Sequence, residues 1–290
     1  MKTVLVTGAS GLLGSHVVGH LLNKGYVVYS AIMPVEETTY VCRAGEVVVL
    51  NNDVFEGRLP HVDVVINCAF ARSNNPEHLA SAFDFTTLLL SGLRKADVDG
   101  IINISSQGVY KRLPAGQLST EDSPIEPIDI YSMSKYATEK MCQLSGIKYV
   151  TSIRLASLNM KQRFLYTFVK SAIDEGKIYL NSPKVCASIL DVEDAAEALT
   201  CLVERPQDQW QPVYNLSIGV QYSLEEYAKM VQKVGAELGY EIDIVVNDNG
   251  NNATAGVDIN RFVADCGWKP RINTEMIINT FFQEEQNARK

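Results

Sequence analysis

Histidine is scarce in this 290-residue chain: His16, His20, His61 and His78 are scattered, and nothing spaces them as metal ligands. The six cysteines, Cys42, Cys68, Cys142, Cys186, Cys201 and Cys266, contain no Cys-x-x-Cys pair and no regular interval. Zinc ribbons and disulfide frameworks therefore do not apply, and no metal site is expected. The cysteines read as reduced, small hydrophobic residues of a cytoplasmic protein. Positive charge is not in excess either. Lys and Arg number 26 against 34 Asp and Glu, a net charge of −8, which argues against nucleic acid or an anionic membrane as the main partner. No uninterrupted apolar run approaches the roughly 18 residues of a membrane span. The apolar N-terminal stretch is broken by Gly8, Ser10, Gly11, Gly14, His16 and His20, and no small-residue cleavage site follows it.

What is present is an alternation. Short runs rich in Val and Ile occur at Thr3–Val6, Val27–Ala31, Val47–Leu50, Val62–Ile66, Ile101–Ile104 and Tyr149–Ile153. They show little polar alternation, as strands do when helices cover both faces of a parallel sheet. Amphipathic stretches at Leu12–Lys24, Pro76–Ala96 and Ile130–Leu144 lie between them. The pattern predicts an α/β fold with a doubly wound parallel sheet, whose strand C-termini and following loops line one edge. The second half is less regular. Helices are expected at Arg163–Glu175, Val192–Glu204, Tyr222–Leu238, Ile259–Cys266 and Thr274–Ala288, with strands at Lys177–Leu180, Val213–Leu216 and Glu241–Val246. Residues 1–155, completed by the strand near 213–216, read as a Rossmann domain, and 156–290 mostly as a smaller substrate lobe. The Asn- and Gly-rich stretch Asn247–Thr254 reads as a mobile loop.

Thr7–Gly8–Ala9–Ser10–Gly11–Leu12–Leu13–Gly14 joins the first strand to the first helix. Glycine allows the tight turn and a close backbone approach, while the helix N-terminus offers unpaired N–H groups to an anion. Gly8, Ser10, Gly11, Leu12 and Gly14 are thus candidates to cradle a dinucleotide pyrophosphate. After the second strand no acid or base stands where it would choose between NAD and NADP, and Glu36 and Glu37 read as solvated loop charges. Either cofactor fits. Further on, Tyr131–Ser132–Met133–Ser134–Lys135 places a phenol and an ammonium on one helix face. An unperturbed phenol, with a pKa near ~10, exchanges protons poorly at neutral pH. A neighbouring lysine charge is expected to lower it and make Tyr131 a general acid/base.

With Thr-Gly-x-x-Gly-x-x-Gly at the N-terminus, Ser105–Ser106 ending the fifth strand and Tyr-x-x-x-Lys about 120 residues after the glycines, the chain resembles the extended short-chain dehydrogenase/reductase family. Asp191–Ala198, Tyr214–Ser217, Asp258–Arg261 and Gly267–Pro270 resemble later signatures of its nucleotide-sugar epimerase/dehydratase branch. The resemblance implies a Ser106–Tyr131–Lys135 catalytic set and a homodimer paired through the long helices, with Phe83, Phe85, Leu88 and Leu89 as contact candidates. It also implies that Asp53, Val54, Cys68, Ala69, Phe70 and Leu155 join Tyr131 and Lys135 along the cofactor. Ser106, Gln107, Ser157 and Arg163 fall on the substrate side, and the expected substrate is a small molecule, a nucleotide sugar. Some positions depart from the pattern. Phe70 is bulkier than the usual residue, and the arginine that grips the substrate diphosphate aligns with Ala187. The Asp-Glu pair of the dehydratases is replaced by Gln107 and Gly108. These features imply a sugar-nucleotide epimerase or 4-keto-sugar reductase. The alternatives are a non-catalytic NAD(P)-binding regulator on the same fold and a reductase of a carbonyl compound carrying no nucleotide.

Overall fold

The computed structural model describes residues 2–32, 46–49, 52–161, 163–248, 250, 252 and 254–289. The elements in its first half are β1 (Thr3–Thr7), α1 (Leu12–Asn23), β2 (Val27–Ile32), β3 (Glu46–Val49), α2 (Asn52–Phe55), β4 (Val62–Asn67), α3 (Pro76–Lys95), β5 (Val98–Ser106), α4 (Ile130–Gln143) and β6 (Tyr149–Leu155). They are followed by β7 (Ser157–Leu158), α5 (Phe164–Glu175), β8 (Lys177–Leu180), β9 (Cys186–Ala187), β10 (Ile189–Leu190), α6 (Val192–Glu204) and β11 (Val213–Leu216). Last come β12 (Tyr222–Ser223), α7 (Leu224–Glu237), β13 (Asp243–Val246), α8 (Asn260–Cys266) and α9 (Thr274–Ala288).

Seven strands form one parallel sheet in the order β11-β6-β5-β4-β1-β2-β3. The chain runs outward from β1 to β3, then returns to build β4 to β6 on the other side. The strand order therefore switches between β1 and β4, where a doubly wound sheet opens its ligand crevice. Burial follows the two-residue pleat. Val4 and Val6 face a core shared with α1 and α6, whereas Leu5 faces one shared with α3 and α4. A further core, built from α5, α7, α9, β8 and β13, encloses Phe168, Tyr227 and Phe282.

Two buried polar arrangements tie the strands together. Thr7, Asn67, Asn103 and Ser152 stand in register on β1, β4, β5 and β6, and all are buried. Thr7 Oγ1 donates to Asn67 Oδ1 (2.7 Å), Asn67 Nδ2 to Asn103 Oδ1 (3.2 Å) and Asn103 Nδ2 to Ser152 Oγ (3.5 Å). Nearby, Glu139 on α4 is fully buried and pairs with Arg154 on β6 through Nε (3.0 Å) and Nη2 (2.9 Å). Ser105 on β5 also donates to Glu139 Oε1, at 2.5 Å. One carboxylate thereby joins α4 to two strands.

Most elements stand where the sequence predicts them, with some differences. The helix expected from Tyr222 begins at Leu224, because Ser223 caps it in a reciprocal pair with Glu226 while Tyr222 and Ser223 pair with β9. The strand expected at Ile101–Ile104 extends to Val98–Ser106. β7, β9 and β10 have two residues each, too few to carry a period. No helix among the described residues is long and apolar enough to cross a membrane. Of the cysteines, Cys68, Cys142, Cys186, Cys201 and Cys266 are free, and Cys42 lies outside the described residues. Glu36, Glu37 and parts of the stretch 247–254 also lie outside them.

Removing one partner of a buried ion pair strands the other charge, whereas replacing both with apolar groups does not. Glu139→Ala is expected to lower the unfolding free energy in urea by about 3–5 kcal/mol. The double variant Glu139→Leu/Arg154→Leu is expected to recover most of that loss, and a single variant as stable as the double would contradict this view of the pair.

Candidate active site

The glycine loop is shaped by contact. Gly8 has φ +65°, and a Cβ there would lie 3.0 Å from the Ala69 backbone nitrogen at the end of β4. A Cβ on Gly14 would come within 2.2 Å of the Gly8 carbonyl oxygen, so α1 can pack on the loop only without a side chain there. Gly11 is the N-cap of α1, donates its N–H to Gly8 O (2.9 Å) and supplies no capping side chain. The first turn of α1 holds no acid. Its free N–H groups and the partial positive charge of the helix end suit an anion. Ser10 is half-buried in the loop, and Leu12 lines the cleft beside it. Val54 is buried in α2, whereas the Asp53 side chain lies outside the described residues.

A cleft of about 520 Å³ opens beyond this loop, along the C-terminal ends of β4, β5 and β6. Its lining brings together Leu12, Cys68, Phe70, Ser106, Gln107, Tyr131, Lys135, Leu155, Ser157 and Arg163, all named from the sequence. Ala69 is not among the lining residues, and it donates its N–H to Thr7 Oγ1 (3.3 Å). Ser106 ends β5, and its Oγ accepts from Gly108 N (3.1 Å), which leaves the hydroxyl proton free to donate. Asp129 starts α4 by accepting from Ser132 N (2.7 Å), and Asn74 Oδ1 accepts from Tyr131 N (3.0 Å). The helix that carries Tyr131 and Lys135 is therefore held at its first turn from two sides.

Lys135 is engaged by neighbours other than Tyr131. Its Nζ donates to Ile104 O (2.6 Å) and lies under the Phe70 ring, 4.2 Å from the centroid. Phe70 also meets Tyr131 edge-on, with ring centroids 6.3 Å apart. Burial lowers the Lys135 ammonium to about 8. Burial raises the Tyr131 phenol, and the charges that oppose this are Arg72 and Arg163. The Cys68 thiol, also buried, is pushed up to about 12 and stays protonated.

The sequence reading passed over Arg72, Asn74, Asp129 and Glu139. Glu139 follows Lys135 by one helical turn, so a Tyr-x-x-x-Lys-x-x-x-Glu spacing was there to be noticed. Arg72 sits in a loop with no periodic signal. Ala187 lies on β9, where its carbonyl oxygen accepts from Tyr227 Oη (3.1 Å). At the opposite end of the sheet, His61 Nδ1 pairs with Asp97 (2.9 Å), with Asp63 and Asp99 close by.

Lys135 gives a pH test. Below about pH 8 the ammonium is charged in both folded and unfolded chains, and the cost of burying it is present in full. Between about 8 and the ordinary 10.5 the folded chain sheds its proton first, so the unfolded chain binds more protons and stability rises with pH. The cofactor-free protein is expected to show this rise relative to Lys135→Met in urea unfolding from about pH 8 to about pH 10. Parallel stability curves would contradict it.

Residues 4–217 match the NAD dependent epimerase/dehydratase family. The chain is 25% identical to the low-salt glycan biosynthesis protein Agl12 of Haloferax volcanii, over 94% of each chain. It is 24% identical to a putative UDP-glucose 4-epimerase of Methanocaldococcus jannaschii, over 93% of this chain and 94% of that one. Among solved structures, its fold is similar to that of the UDP-glucose 4-epimerase of Thermotoga maritima with UDP-glucose, with a TM-score of 0.83, 18% identity and full coverage of both chains. The match over most of the chain places this protein in the NAD dependent epimerase/dehydratase family, as an NAD(P)-dependent enzyme.

Proposed function

We propose that the enzyme interconverts a hydroxyl and a keto group on the sugar of a nucleotide sugar, as an epimerase or a 4-keto-sugar reductase, using Ser106, Tyr131 and Lys135. The observation that carries this reading is that all of them line one cleft next to the glycine loop. Residues 1–155, with the strand at 213–216, would hold the dinucleotide, and most of 156–290 would form the substrate lobe.

The loop suits the cofactor: Gly8 allows backbone contact that a Cβ would block, and the uncapped start of α1 faces outward for a pyrophosphate. Gly8, Ser10, Gly11, Leu12 and Gly14 would hold the pyrophosphate, Asp53 and Val54 the adenosine end, and Cys68, Ala69, Phe70 and Leu155 the path toward the nicotinamide. When bound, the nicotinamide supplies a hydride acceptor or donor. The protein's part is proton transfer and orientation. Tyr131 Oη takes the proton from the carbinol oxygen or returns it to the carbonyl oxygen. The Ser106 hydroxyl donates to that same oxygen and polarises it. Lys135, drawn from beneath Phe70 toward the ribose and the phenol, favours the phenolate. Gln107, Ser157 and Arg163 contact the sugar or its handle. Water elimination has little support. Gln107 and Gly108 stand where dehydratases carry acids, and a Cβ at Gly108 would lie 2.5 Å from Ser132 Oγ.

Support for a homodimer comes from exposed apolar side chains on neighbouring helices, Leu88 on α3 with Ile130 and Met133 on α4. Leu89 and Phe85, by contrast, cover the chain's own core. Light scattering is expected to give twice the 32.0 kDa chain mass, and Met133→Glu is expected to shift it toward the monomer. A monomeric wild type would remove the dimer.

The catalytic assignment is tested on the interconversion of UDP-glucose and UDP-galactose and on NAD(P)H oxidation with a 4-keto sugar nucleotide. Tyr131→Phe is expected to lower kcat by about 10²–10⁴-fold while NAD(P)H binding persists. Wild-type turnover by that variant would overturn the role of Tyr131. A wild type that binds NAD(P)H but turns over no carbonyl or carbinol substrate would mark a binding protein.

A further inference from the structure

Two arginines in the cleft carry neither proton nor hydride in the hydroxyl–keto chemistry. Arg72, in the loop after β4, and Arg163, at the N-cap of α5, both line the cleft with Tyr131. Several arginines elsewhere are matched by acids: Arg154 by Glu139, Arg205 by Asp265, Arg261 by Asp122 and Arg271 by Glu197. Among the described residues neither Arg72 nor Arg163 has a carboxylate within ion-pair distance. Arg72 Nη1 reaches only the weak acceptor Met160 Sδ (3.4 Å). Arg163 Nε is buried with no hydrogen-bond partner, an arrangement that costs free energy unless a ligand completes it. The two guanidiniums are also close enough that Arg72 disfavours the charge on Arg163. Asp129, the acid in the cleft, is already engaged in capping α4.

Like charges held together without a counter-ion, with a buried donor left open, form a site for an anion. We propose that Arg72 and Arg163 form an anion clamp next to Tyr131, which takes an oxyanion of the substrate close to the reacting carbon. This rests on the reading of Tyr131 as the proton-transfer group. A ring carboxylate, as in a sugar acid linked to a nucleotide, puts a negative charge at that place. The diphosphate of a neutral nucleotide sugar would do so if it turned inward, and it too needs a cation, because the position expected to grip it is Ala187. Either source makes the same demand on the two arginines.

The test is calorimetric titration of the NAD-loaded full chain with UDP, UDP-glucose and UDP-glucuronic acid, in wild type, Arg72→Gln and Arg163→Met. Unchanged NADH binding and thermal midpoint serve as checks on folding. Because Arg72 is exposed, Arg72→Gln provides a folded variant if Arg163→Met fails. Wild type is expected to bind UDP-glucuronic acid at least about tenfold more tightly than UDP-glucose, and the variants are expected to lose that preference. Equal losses for UDP, UDP-glucose and UDP-glucuronic acid would support the clamp and assign it to the diphosphate. Variants that bind all three ligands as wild type does would overturn it. If wild type binds NADH but none of the UDP ligands, the nucleotide-sugar reading fails on its own. The clamp then stands or falls with glucuronate and inorganic pyrophosphate, and no binding dependent on Arg72 and Arg163 would overturn it.

Discussion

A carboxylate closed off from water, Glu139, is met by Arg154 in a two-point ion pair, and Ser105 adds a hydrogen bond. The position of the site depends on this junction. Glu139 lies one turn after Lys135 on α4, Ser105 directly precedes Ser106 on β5, and Arg154 directly precedes Leu155 on β6. Rotation of α4 about its axis would break the pair and strand a buried charge, a penalty of several kcal/mol. The helix therefore presents Tyr131 and Lys135 to the cleft in one orientation. The same helix is fixed at its start by Asp129 and Asn74.

A second constraint comes from the other side of the switch point. The chain from Thr7 through Asn67 and Asn103 to Ser152 ties four strands together with side chains that are all buried and bonded. Against that row the glycine loop bends back so closely that Gly8 touches Ala69 and Gly14 touches Gly8. Both halves of the cleft are thus referenced to one rigid edge. Between them stands Phe70, whose ring rests on Lys135 and meets Tyr131. Burial of the ammonium lowers its pKa. In the proposed function, Lys135 reaches the ribose and the phenol only if this contact opens.

Much of this was legible from the residues. Val- and Ile-rich runs read directly as strands buried on both faces, and the seven-stranded sheet follows from them. The glycine spacing, Ser106 and the Tyr131–Lys135 pair named much of one wall of the cleft, because each is a short pattern with a local physical cause. What remained hidden is non-local. The partner of Glu139 is Arg154, on another element, and no period links them. Lys135 was expected to act on Tyr131, but Ile104 O and the Phe70 ring claim it, and the choice of partner depends on packing. Arg72 and Arg163 meet only after β4 and the start of α5 have folded around the same cleft. Two-residue strands such as β9 arise from pairing and carry no signal of their own.

The proposed site requires this cleft to hold a nicotinamide dinucleotide on the glycine loop and next to Tyr131. Acid release of nucleotide from one portion of the purified protein, and titration of another with NADH and NADPH, tests this requirement. The expected result is either near-stoichiometric NAD(H) in the extract, which indicates a recycled cofactor and an epimerase, or saturable one-to-one binding of one added nucleotide, which indicates a reductase. A protein that releases no nucleotide and binds neither NADH nor NADPH would contradict it.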